Sequence, residues 1–87
     1  MLLTPAEIDQ ALAGLPGWSC DGKALRRTYV FPDFPSAVAF VNRLVAPAEA
    51  RNHHPDIAIS YNRVTLSLTT HDAGGLTAKD LALASAL

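Results

Sequence analysis

The apolar positions of this chain switch between two spacings, and the switches mark its elements. Ile8, Ala11 and Leu12 recur at helical spacing behind Thr4-Pro5-Ala6-Glu7. Thr4 suits an N-cap, Pro5 the first helical position, and Glu7 the reciprocal carboxylate of a capping box. Gly14, Pro16 and Gly17 close that segment. Trp18 to Cys20 and Leu25 to Phe31 then predict two short strands around Asp21-Gly22, a dipeptide that tolerates the positive φ angles of a type I′ turn. Alternation puts Leu25, Tyr29 and Phe31 on one face. Arg27 shares that face and needs a partner or a route to solvent.

Pro32-Asp33-Phe34-Pro35-Ser36 breaks the strand and opens a second helix, with Asp33 or Ser36 as its cap. Phe34, Val38, Val41, Leu44 and Val45 form its apolar stripe, with Phe40 beside it. The helix is expected to run to about Asn52 or His54, before Pro55. Pro47 lies inside it, where a proline removes one hydrogen bond and costs roughly 3 kcal/mol. A kink is expected there, or an earlier end with a fresh turn. Ile57, Ile59 and Tyr61 alternate as in a half-buried strand, and Tyr61-Asn62-Arg63 is the turn. Val64, Leu66 and Leu68 alternate with Thr65, Ser67 and Thr69 in the clearest strand of the sequence. After the loop Asp72-Ala73-Gly74-Gly75, Thr77 and Asp80 make a second capping-box start for a short closing helix. The order αββαββα predicts an α+β fold: a four-stranded antiparallel sheet covered by helices on one face.

Composition narrows the class of function without naming one. The 87 residues fit one domain, spanning 1–87, and 49% hydrophobic residues supply one modest core. A core this small makes self-association a reasonable expectation. A net charge of −1 gives no basic footprint for nucleic acid or anionic lipid. Cys20 is the only cysteine, so internal disulfides and thiolate zinc sites are excluded and a reducing compartment is compatible. No apolar run approaches membrane-spanning length. The expectation is a cytoplasmic protein.

The candidate chemistry is carried by histidine. His53-His54 precedes Pro55, and His71 follows the strongest strand. Imidazole both gives and takes protons near neutrality. Glu49 lies four residues before His53, the spacing at which a carboxylate orients an imidazole on one helix face. The plainer reading is a surface pair worth about 0.2–0.5 kcal/mol, and a histidine at a helix C-terminus also suits the helix dipole. Simple alternation would project His71 with Ser67 and Thr69, toward a cleft or an open sheet face, unless the strand ends earlier. Gly74-Gly75 is either a close-approach site for a ligand or an ordinary loop. It lacks the spacing and lysine of a phosphate loop. A three-histidine zinc site is the weaker reading, because the spacing matches no common ligand motif.

Glu49-Ala50-Arg51-Asn52-His53-His54-Pro55, Tyr61, Thr70-His71, Gly75-Leu76-Thr77 and Asp80 together resemble the pterin-4a-carbinolamine dehydratase family. Gly17-Trp18, the Arg27 to Phe31 strand, Asp33-Phe34 and Ala39-Phe40 extend the resemblance over nearly the whole chain. The resemblance implies an αββαββα domain whose edge strands pair between subunits, as a homodimer or homotetramer. It implies a dehydratase without cofactor or metal, acting on the 4a-hydroxytetrahydropterin left by an aromatic amino acid hydroxylase and giving quinonoid dihydropterin. It carries His53, His54 and His71 over as catalytic, without dividing acid from base. Glu49, Pro55, Thr70, Asp72 and Asp80 carry over as substrate-binding or supporting residues. Two features depart from the family pattern: Pro47 interrupts the long helix, and the closing helix is short. Some animal members also bind a homeodomain transcription factor, so a non-catalytic pterin-binding or dimerisation module is the alternative. If the implied chemistry holds, turnover of a freshly generated carbinolamine should survive exhaustive chelation. Activity that returns in proportion to added zinc would count against it.

Overall fold

The computed structural model describes all 87 residues, Met1–Leu87. Its first helix, α1 (Pro5–Leu12), begins where the capping box forms: Glu7 N–H donates to Thr4 Oγ1 at 3.2 Å, and Thr4 N–H donates to Glu7 Oε1 at 2.9 Å. The backbone hydrogen bond from Thr4 holds the Glu7 carboxyl below its ordinary value. Strands β1 (Ser19–Asp21) and β2 (Ala24–Val30) follow as an antiparallel hairpin. Asp21 pairs with Ala24, so the two turn residues are Gly22 and Lys23. The turn sits one residue later than expected at Asp21-Gly22. Only Gly22 takes a positive φ, 64°, whereas a type I′ turn needs two such residues in succession. The first strand is displaced likewise, and Trp18 enters the core just ahead of it.

Helix α2 (Phe34–Arg51) starts at Asp33, whose Oδ1 accepts Ser36 N–H at 2.9 Å. These bonds from Ser36 hold the Asp33 carboxyl low. The helix runs through Pro47 without the early end or fresh turn expected there. Leu44 and Ala48, on either side of the proline, are both buried, so packing holds the segment helical against its propensity. The Arg43 carbonyl loses its usual donor, but Arg43 is exposed and water can serve it. Arg51 Nη1 donates to the Pro47 carbonyl at 3.2 Å and helps close the last turn. The helix ends at Asn52, which turns left-handed with φ 47°.

Strands β3 (Asp56–Ser60) and β4 (Arg63–Leu68) complete one antiparallel sheet in the order β1-β2-β4-β3. Leu25 faces Leu68, Arg27 and Ile57 flank Leu66, and Tyr29 and Ile59 flank Val64. That row is the helix-covered face. The opposite face carries Arg26, Thr28, Thr65 and Ser67, with the Thr28 and Thr65 hydroxyls 3.1 Å apart. A 3₁₀ turn (His71–Ala73) leads to helix α3 (Ala78–Ala86). Leu25, Val64, Leu66, Leu68 and Leu83 are fully buried, each contributing roughly 1.5–3 kcal/mol through the area it hides. No helix is long and apolar enough to cross a membrane.

Arg27 finds its route under the loop before Trp18. Its guanidinium lies over the Tyr29 ring at 4.4 Å. Gly17 permits that approach: its φ is 85°, and a Cβ there would sit 2.8 Å from Arg27 Nε. Tyr29 packs on Phe40 with ring centroids 4.5 Å apart, and burial raises its phenol pKa against the opposing pull of Arg27.

The apolar stripe of α2 is rotated from the expected one. Ala37, Leu44 and Ala48 are its buried residues, whereas Phe34 and Val45 are 49% and 58% exposed. The two edge isoleucines of β3 are each 41% exposed beside them. Pro47→Ala restores one helical hydrogen bond and should raise stability by roughly 1–3 kcal/mol. Urea titration of both proteins measures this. An unchanged or lower midpoint would show that the half-buried proline ring contributes more to packing than its missing N–H costs.

Candidate functional site

Three chain segments meet at one end of the sheet: the C-terminal end of α2, the end of β4, and the start of α3. The left-handed turn at Asn52 takes the chain out of the helix, so His53 and His54 do not continue its spiral. They part in opposite directions. His53 turns inward, its side chain only 11% exposed, and its Nε2 lies 2.6 Å from Asp80 Oδ1. His54 stays outside, 57% exposed, with Nε2 at 2.5 Å from Glu49 Oε2.

This pairing corrects the expectation that Glu49 orients His53. The i,i+4 argument assumed that the helix continues through His53. The helix stops at Arg51 instead, and the turned chain brings the next histidine to Glu49.

Asp80 is completely buried beneath His53. Its Oδ2 accepts Thr77 N–H at 2.9 Å, closing the α3 capping box, and accepts the Thr70 hydroxyl at 2.8 Å. Thr70 and Thr77 are buried with it, their hydroxyls 2.8 Å apart. One carboxylate thus serves as a helix cap and as the partner of a histidine. A buried carboxylate needs such company, because desolvation without it costs several kcal/mol.

Above this cluster lies an open cleft of about 400 Å³ lined by ten residues, none of them hydrophobic. His53, His54, His71, Pro55, Thr70 and Asp72 are among them. The cleft falls within the volume range of small-molecule sites. His71 does not reach it by strand alternation as expected. Strand β4 ends at Leu68, Thr70 makes a single bridge to Gly75, and His71 opens the 3₁₀ turn, exposed and with no side-chain hydrogen bond. Gly75 serves that bridge, and Gly74 ends the turn with φ 75°. Both glycines have structural duties.

Two of the expected substrate-binding residues lie elsewhere. Asp80 is under the cleft rather than on its wall, with both oxygens engaged by protein groups. Glu49 lines a separate apolar groove of about 220 Å³ between α2 and β3, together with Val41, Val45 and Ile57. His54 and Pro55 border both cavities. Thr77 was legible in the sequence as a helix cap and as part of the Gly75-Leu76-Thr77 resemblance, without a role at the site; its place under the site depends on the fold. No group of three or more His, Cys, Asp or Glu side chains is arranged to hold a metal ion.

Chemically, the arrangement offers imidazoles in a polar, water-accessible cleft, two of them backed by carboxylates. That is equipment for proton transfer. Known proteins agree with the outline. The family model described as Pterin 4 alpha carbinolamine dehydratase matches residues 1–87. A protein of Thermosynechococcus vestitus bearing the provisional name pterin-4-alpha-carbinolamine dehydratase is 56% identical over 85 residues, covering 98% of this chain and 90% of its own. One of Roseiflexus sp. with the same provisional name is 55% identical over 83 residues, covering 95% and 89%. The crystal structure of a transcriptional coactivator/pterin dehydratase from Brucella melitensis superposes with a TM-score of 0.92 at 38% identity, over 99% of this chain and 94% of that one. With the whole length matched in both sequence and fold, this chain belongs to the pterin 4 alpha carbinolamine dehydratase family.

Proposed function

We propose that the protein dehydrates 4a-hydroxytetrahydropterin to quinonoid dihydropterin in the cleft lined by His53, His54 and His71. The observation that carries this reading is the meeting of all three histidines of the chain on one polar cleft. In the reaction, the N5 lone pair forms the C4a=N5 bond as the C4a–O bond breaks. One group protonates the departing hydroxyl, and another accepts the N5 proton. Water leaves and no electrons enter or depart, so acid–base groups alone satisfy the balance. Each positioned group supplies typically 10²–10⁴-fold. Pro55 and Asp72 line the same cleft and are assigned to holding the pterin. Asp80 and Glu49 act behind His53 and His54. The product feeds tetrahydropterin recycling, and an aromatic amino acid hydroxylase is the metabolic neighbour that supplies the substrate. The setting is the cytoplasm.

The protein is also proposed to act as a homodimer or homotetramer, with 1–87 as the repeating domain. Strands β1 and β3 are both sheet edges with unpaired backbone groups. Val45, Ile57 and Ile59 leave apolar surface open beside β3. Sedimentation at micromolar concentration should show an assembly larger than the 9.2 kDa chain. A lone monomer there would sink the oligomer.

A binding-module reading draws on the coactivator title of the Brucella relative and on the same apolar groove. One assay separates the two readings. Fresh carbinolamine is supplied, quinonoid product is followed, and spontaneous dehydration is subtracted. His54→Ala and His71→Ala should each lower turnover by roughly 10²-fold or more, with little loss of stability, because both side chains are exposed. A folded double variant that turns over at the wild-type rate would end the catalytic reading in favour of the module.

A further inference from the structure

We propose that Thr70 and Thr77 are positioning residues that act through Asp80 to hold His53 as its Nε2–H tautomer, with the Nδ1 lone pair turned to the cleft. The assignment comes from counting hydrogens. Thr77 N–H is a donor by constitution, and it bonds Asp80 Oδ2. Thr70 gives its one hydroxyl proton to the same oxygen. No proton is then left on Thr70 for the 2.8 Å contact between the two hydroxyls, so Thr77 donates there. Thr77 Oγ1 in turn accepts Lys79 N–H at 3.3 Å. Every donor in the cluster therefore runs toward Asp80.

Oδ2, with two donors on it, is an acceptor only, and an imidazole is a stronger base than a carboxylate, so the proton in the 2.6 Å contact with Oδ1 is assigned to His53 Nε2. In the neutral ring that leaves Nδ1 bare. This atom has no hydrogen-bond partner in the protein. It is not buried either, because the Tyr29 hydroxyl is the one buried side-chain polar atom left unpartnered. It is open to solvent, on a ring that lines the cleft, and we assign its lone pair to the cleft side. Thr70 accordingly has no proton to offer a substrate, and its work is done through Asp80.

The same count fixes what an amide does at position 80. In Asp80→Asn, Thr77 N–H and Thr70 O–H both call for the amide oxygen at the Oδ2 position. The NH₂ must then face His53 Nε2 and donate to it. His53 is driven to the Nδ1–H tautomer, and the cleft meets an N–H where it had met a lone pair. Thr70→Val removes one of the two orienting donors at nearly constant shape. It also strands the Thr77 hydroxyl.

The test uses the full chain labelled with ¹⁵N-histidine, with long-range proton–nitrogen spectra recorded where the rings are neutral. Wild-type His53 should appear as Nε2–H and the Asp80→Asn ring as Nδ1–H. Thr70→Val should lower kcat about 10-fold, the lower end of what losing an outer-shell partner costs, with KM unchanged. Thr70→Ser should restore it. Wild-type His53 found as Nδ1–H would overturn the proposal, and that spectrum decides the question even where a variant fails to fold. An unchanged tautomer in folded Asp80→Asn would overturn it too, and an unchanged kcat in Thr70→Val would remove Thr70 from the chain of action. The kinetic arm rests on the dehydratase reading, whereas the spectra do not. Both tautomers as expected in a protein with no carbinolamine turnover would sustain the hydrogen-bond assignment and sink that reading instead.

Discussion

The constraint on which the rest depends is a carboxylate with no solvent. Asp80 is fully buried, so it is tolerable there only while three hydrogen-bond partners converge on it. Those partners come from the end of α2, the end of β4 and the cap of α3. Satisfying one side chain therefore fixes the mutual placement of three elements, at the spot where the cleft opens. The apolar core, Leu66, Leu68 and Leu83 among its ten buried residues, is held by contacts that have no fixed direction. The polar cluster differs, because each bond has one length and one direction.

Much of the fold was legible from local chemistry. Thr4 with Glu7 and Thr77 with Asp80 announce two helices through their capping boxes, and both boxes form. The alternation from Val64 to Leu68 announces the central strand, and those three apolar residues are fully buried. One error arose where a rule was carried past the end of its element. The i,i+4 rule carried Glu49 to His53, but Asn52 had already left the helix. For His71 the alternation of β4 held only if the strand ran on, and the strand ends earlier, at Leu68. At Pro47 the early end does not occur, because the packing of Leu44 and Ala48 around it outweighs the local penalty.

The long-range part of the site was not legible from spacing. His53 and Asp80 are 27 positions apart, and no periodicity connects them. The resemblance put both among the site residues, yet it could not say that one lies beneath the other. That distinction separates a group that meets a ligand from one that meets only protein, and it requires coordinates.

Helix α3 has nine residues, and a helix of that length does not persist in water on its own. It exists because Leu83 and Ala84 join the apolar core, because it packs on α2, and because Asp80 ties its first turn to Thr77. Short helices that lean on their packing open by sub-global excursions that leave the remainder folded. Each such opening would draw the carboxylate from under His53 while the sheet and α2 stayed in place. The lifetime of the competent cleft is thus the lifetime of the docked first turn of α3. Warming should empty the site before it melts the protein.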